Sequence, residues 1–200
     1  MSEFLAFLRL GFGHIVAVGA ADHILFLLVL AAIYRGRDWR AALIVVSAFT
    51  VGHSVTLLLA VTETLVLPSR IVEFLIPLTI VATAIENIVL RERAARGSAA
   101  RHRPVFAVIF GLVHGAGFAG YLRSLFMNDI AVPLLGFNVG IELGQIVVLV
   151  AAAGLLLSLD AAVQRVRRTS WPEAFQLRVV TVSATIGVIA SAWAAERFPR

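Results

Sequence analysis

Along this chain, long apolar blocks alternate with short segments that carry arginine. Six blocks stand out, near residues 11–34, 41–66, 71–90, 104–122, 132–159 and 177–195. An α-helix needs about 20 apolar residues to cross a hydrocarbon core, and every block is close to that length or longer. Such runs exceed what a buried core helix requires, and in lipid only helices and closed barrels satisfy their own backbone. The pattern predicts an all-α, polytopic bundle of about six transmembrane helices, forming one integral membrane domain over residues 1–200.

Composition strengthens that reading. Hydrophobic residues make up 60% of the chain and the mean hydropathy is +0.94, against about half apolar in a soluble domain. All 17 basic residues are arginine. They fall in the connectors and form no stripe on a soluble element, so nucleic acid is excluded and the lipid bilayer is the expected partner. The connectors after the first, third and fifth blocks, with Arg178, hold twelve of them; Arg9, Arg70, Arg123, Arg197 and Arg200 lie on the other side. Positive residues favour the cytoplasmic face, which predicts both termini outside. The first ten residues lack the layout of a signal peptide, so the first block is expected to stay. His102, in the connector RERAARGSAARHR, reads as solvated, and Trp171-Pro172 as an interfacial anchor and helix boundary.

Cysteine is absent. Any metal must therefore be held by imidazole, carboxylate or amide groups.

Four polar islands interrupt the apolar blocks. The first is His14 with Asp22 and His23, inside GFGHIVAVGAADHILFLLVLAAIY (11–34). In the second, Ser47, Thr50, His53 and Ser54 share an arc of roughly 120°. The third is His114 in FGLVHGAGFAGY, where Gly111 and Gly115 permit close helix approach. In the fourth, Asn138, Glu142 and Gln145 fall within roughly 60° of one another, opposite a seam of Gly136, Gly140 and Gly144. These glycine-rich faces suit packing within one chain or between copies in a homo-oligomer.

Each island alone fits ordinary interhelical hydrogen bonding. Ionisable groups at membrane depth, however, are costly and point by default to function. A buried glutamate with only amides beside it would neutralise, so a cation or imidazolium partner explains Glu142 better. Four histidines, Asp22 and Glu142 all map to the outer or middle bundle, and independent packing residues have no reason to share a depth. One metal site is expected from His14, Asp22, His23, His53, His114 and Glu142, supported by Thr50, Ser54, Asn138 and Gln145. Imidazole and carboxylate without thiolate suit Ni²⁺, Co²⁺ or Zn²⁺. Glu73 reads as interfacial, Glu86 as reaching Arg91 or Arg93, and Pro77 as a kink between them.

In chain order, the landmarks are His14-Ile15, Gly19, Asp22-His23 with LFLL, Phe49-Thr50 through His53-Ser54, and Thr56-Leu57. Glu73, Asn87, FGLVHGAGFA (110–119) and FNVGIELGQ (137–145) follow. This ordered set resembles the HupE/UreJ family of bacterial membrane proteins, associated with nickel supply to hydrogenase and urease, and the resemblance covers nearly the whole chain. The Asp-His and Gly-His-Ser elements are more loosely similar to nickel/cobalt permeases. The resemblance implies divalent-metal uptake through a multi-pass protein of the bacterial inner membrane, with His14, Asp22 and His23 as ligands. One spacing departs from the family. Seven residues separate His14 from the Asp-His pair instead of five, which puts His14 and His23 about 180° apart on an ideal helix. Either the chain breaks near Gly19 or His14 is not a co-ligand.

Two chemistries use these residues. In a transporter, an ion would settle on Asp22 and His23 and be held with His53, His114 and Glu142. The apolar cytoplasmic halves offer it only Glu86 and Asn87 as inward steps. In a zinc-dependent intramembrane hydrolase, His23, His53 and His114 would be ligands, Asp22 or Glu142 the base and Ser54 an electrophilic donor.

Overall fold

The computed structural model describes residues 2–17, 19–65, 67–95, 102–125 and 130–199. Among them are seven α-helices and no strand: α1 (Glu3–Val16), α2 (Ala21–Ala32), α3 (Trp39–Val61), α4 (Ser69–Ala95), α5 (Arg103–Leu125), α6 (Ala131–Arg167) and α7 (Trp171–Glu196). By length and composition, α3 with its leading 3-10 turn, α4, α6 and α7 can each cross a membrane. α1 and α2 make a fifth crossing if taken as one span, bent by 67°. The apolar stretch of α5, Arg103–Phe118, is shorter. The expected helical bundle forms, with four or five spans of sufficient length among the described residues where six were expected.

The largest difference lies in the first block. Its helix begins at Glu3, ahead of the predicted 11, and does not run to 34. Ala17 takes an extended conformation (φ −66°, ψ 141°) that closes α1. The Ala20 N–H then reaches the Ala17 carbonyl at 2.9 Å, a three-residue step in place of a helical one. At the other end of the chain, α6 continues past the predicted 159 and stops where Arg168 turns left-handed (φ 52°). α7 starts at Trp171, fixed by a Ser170–Glu173 capping box with proline in its first turn. The loop expected at 160–176 shrinks to 168–170.

That shift changes what some arginines do. Arg178 lies inside α7, buried, and donates to Asp160 of α6 at 2.7 Å and to the Tyr34 carbonyl at 3.0 Å. Arg35 and Arg103 are buried as well. Three arginines read as topology signals therefore also have structural roles. Arg96, Arg101 and Arg200 lie outside the described residues.

α3 lies along α5, α1 along α6 and α4 along α7. Glycines set the first two pairings. A Cβ on Gly52 would strike the Val108 carbonyl, and one on Gly111 the Phe49 carbonyl. Gly136 and Gly140 likewise face the Phe4 and Leu8 carbonyls of α1. Both seams are filled by the chain's own helices, so they are not free faces for a homo-oligomer, as the sequence had allowed. Gly111→Ala is expected to destabilise the detergent-solubilised protein by about 1–3 kcal/mol, the range for overpacking. Gly154→Ala, inside α6 where a Cβ meets nothing within 4 Å, should leave the melting temperature unchanged or raise it slightly. Scanning fluorimetry of the two variants tests the contrast.

Candidate metal centre

His14 sits in the last turn of α1, and Asp22 and His23 in the first turn of α2. The break between these helices removes the opposition that a continuous helix would impose. The His14 and His23 rings lie 4.7 Å apart, centroid to centroid. α3 brings His53 to 6.2 Å from both, and α5 brings His114 to 5.3 Å from His23. Gly115, next to His114, packs directly on the His53 carbonyl and holds α5 against α3 at this level. His14 is braced by Phe118 at 4.0 Å, which stacks on Phe137. One ring nitrogen from each of His14, His23 and His53 lies within 4.8 Å of the others.

Hydrogen bonding fixes which nitrogens are available. Asp22 Oδ1 accepts from the His23 backbone N–H at 2.8 Å and pairs with its Nδ1 at 3.1 Å. A carboxylate accepts only, so Nδ1 carries the hydrogen and the lone pair lies on Nε2. Such an acid–imidazole pair is how a metal-binding histidine is oriented from behind. His114 Nδ1 donates to the Phe110 carbonyl at 2.9 Å, again leaving Nε2. The Nε2 atoms of His14, His23 and His114 and both ring nitrogens of His53 are buried without a partner among the described residues. Convergent, orphaned imidazole nitrogens fit a borderline divalent ion.

The other expected residues go elsewhere. Glu142, expected with the imidazoles, instead accepts from Ser47 Oγ of α3 at 2.5 Å. Gln145 Oε1 accepts from Thr50 Oγ1 at 2.7 Å, and Ser54 Oγ donates to the Thr50 carbonyl at 2.7 Å. Asn138 Oδ1 is buried without a partner among the described residues. These groups form a polar strip between α3 and α6. The helical spacing of Ser47 and Thr50 was the sequence signal that an acceptor strip should face them.

A cavity of about 380 Å³ opens onto the cluster, lined by His14, Asp22, His23 and His114, with Glu73 and Arg197 also in its wall. Glu73 had read as interfacial, and nothing in the local sequence marked Arg197. On the opposite side the cluster is closed. Phe26 stacks on Phe49 at 4.9 Å and approaches Phe110 at 6.3 Å, and both Phe26 and Phe49 pack on His114. Glu86, expected to reach Arg91 or Arg93, instead meets His102 and Arg103 beyond this layer.

The sequence model of the family described as HupE / UreJ protein matches residues 1–197. The chain belongs to the HupE/UreJ family. No curated protein and no solved structure matches it. Membership implies nickel- or cobalt-related transport and makes this a membrane protein of metal handling. The HupE/UreJ landmarks at His14, Asp22-His23, His53 and His114 come from four helices and form one cluster, in which all but the fully buried His53 line the cavity. Because His53 is fully buried with neither ring nitrogen paired, replacing it removes an uncompensated cost. His53→Leu is expected to stabilise the metal-free protein by about 1–3 kcal/mol. A lower melting temperature in chelator would contradict this account of the cluster.

Proposed function

We propose that this chain carries nickel or cobalt inward across a bacterial inner membrane, with both termini outside. The 380 Å³ cavity then faces outward and admits the ion. His14, His23 and His53 bind it, His114 completes the set, and Asp22 holds His23 in the binding tautomer. The supporting observation is the meeting of unpartnered nitrogens from three helices within 4.8 Å. Nitrogen donors disfavour the hard cations Mg²⁺ and Ca²⁺, which demand oxygen. Glu73 adds negative charge where a hydrated cation would first be drawn in.

The test uses nickel uptake into proteoliposomes together with nickel binding in detergent. His23→Ala and Asp22→Ala should abolish uptake. Asp22→Asn keeps the size of the group while weakening its grip on His23, and should cost about 10–100-fold in affinity, the usual effect of losing such a support. Glu142→Gln, remote from the cluster, should leave affinity as it is. Wild-type affinity in Asp22→Asn would remove Asp22 from the site.

One observation favours a second reading, a metal-dependent intramembrane hydrolase: the cluster is open on one side and sealed by phenylalanines on the other. Three imidazoles with a free position would supply zinc-activated water. The base and donor assigned to that chemistry are already engaged, however, Asp22 with His23, Glu142 with Ser47 and Ser54 with a carbonyl. Zinc-dependent turnover without metal accumulation would favour it over transport.

A further inference from the structure

Beyond the phenylalanine layer the core becomes polar again. Asn87 is fully buried, and its amide nitrogen donates to the Val29 carbonyl at 2.6 Å and to Ser183 Oγ at 3.2 Å. Its oxygen accepts from the Arg103 guanidinium at 2.9 Å. That guanidinium also lies 3.4 Å from Glu86 Oε2 and 5.4 Å over the Tyr34 ring. The other Glu86 oxygen meets His102 Nε2 at 2.6 Å. A cavity of about 10 Å³ is lined by residues of both, Phe26 and Phe110 from the layer and Glu86 and Arg103 from this group. Phe26 is common to both compartments, since its ring centroid is 5.4 Å from that of His114.

A topology signal would work as well fully solvated. Arg103 instead leaves water to sit between a carboxylate, an amide oxygen and an aromatic ring, at a desolvation cost that its partners must offset. Carboxylate oxygen, amide oxygen and imidazole nitrogen are also donors that a divalent ion takes. Resting on the transport reading above, we propose that Glu86, His102 and the Asn87 amide oxygen form an inner release site, with Arg103 as the resident cation that a departing metal displaces. Two like charges repel strongly at these shared donors, of which Asn87 is fully buried and Glu86 partly so. Arg103 therefore keeps the site neutral and closed until an ion arrives. The mixed oxygen–nitrogen set binds a borderline metal less tightly than the imidazole cluster, which suits release. Asn87 also ties the site to α2, because the Val29 carbonyl that it holds belongs to the helix bearing His23.

The test is nickel stoichiometry by equilibrium dialysis of the full chain in detergent, with nickel chloride as the only ligand. Arg103→Gln should raise bound nickel from one ion per chain to two, and adding Glu86→Gln should return it to one. A single ion in Arg103→Gln overturns the proposal. Should that variant not be recovered folded, Glu86→Gln alone serves: outer capture is retained, while release into the lumen of proteoliposomes slows about tenfold. Unchanged release overturns the proposal. Failure of the transport reading looks different, because wild-type protein would then bind no nickel that His23→Ala removes. The step between Arg103→Gln and its Glu86→Gln double variant would still decide the inner site.

Discussion

A ring nitrogen buried without a partner loses its hydration and gains no bond in return, at about 1–3 kcal/mol each. This fold gathers five such nitrogens from His14, His23, His53 and His114 into one apolar region. Ordinary packing histidines would have been drawn to nearby carbonyls or hydroxyls, as His114 Nδ1 is to Phe110. Here the carbonyls are tied up in helices and the hydroxyls of Thr50 and Ser54 are bonded elsewhere. The ring nitrogens are left close together without partners among the described residues. Such a cluster persists only if the surrounding scaffold is strong enough to hold it.

That scaffold is backbone-to-backbone packing. Lipid offers no hydrophobic drive between helices, so association depends on close contact and interhelical hydrogen bonds. Gly52, Gly111 and Gly115 let α3 and α5 touch with no side chain between them, while Gly136 and Gly140 do the same for α6 against α1. His53 and His114 each lie within a turn of those contacts, so their positions are set by main chain. The buried Asp160–Arg178 pair, together with its bond to the Tyr34 carbonyl, fastens α6 and α7 to the end of α2. The imidazoles therefore stand on a frame whose parts are joined at both ends.

The sequence made His23, His53 and His114 legible, because a polar group at membrane depth is conspicuous against 60% hydrophobic residues. The helices that carry them could be read in the same way. Helical geometry, however, sets His14 opposite His23, and only the local change at Ala17 reverses that. A single extended residue leaves little trace in a pattern of apolar positions. Glu142 shows the converse limit. Its face of α6 was correctly grouped with Asn138 and Gln145, but a facing direction does not specify which neighbour supplies the partner, and Ser47 was nearer than the imidazoles. Arg103 and Arg178 were counted as solvated charges because a connector arginine and a buried one look alike until helix ends are known.

The phenylalanine layer bears on the choice between carrier and hydrolase. Each of its rings stands one helical turn from a histidine on the same helix: Phe26 from His23, Phe49 from His53 and Phe110 from His114. The three imidazole nitrogens of His14, His23 and His53 are within 4.8 Å of one another. Nitrogens bound to one tetrahedral ion at about 2.0–2.1 Å stand about 3.3 Å apart. Under the transport reading, binding in that geometry would draw α1, α2 and α3 closer or turn their side chains, and the layer shares two of those helices. A hydrolase needs its seal to stay shut through turnover and gains nothing from linking it to metal occupancy. A carrier needs that link, because an ion that cannot disturb the barrier beneath it cannot pass.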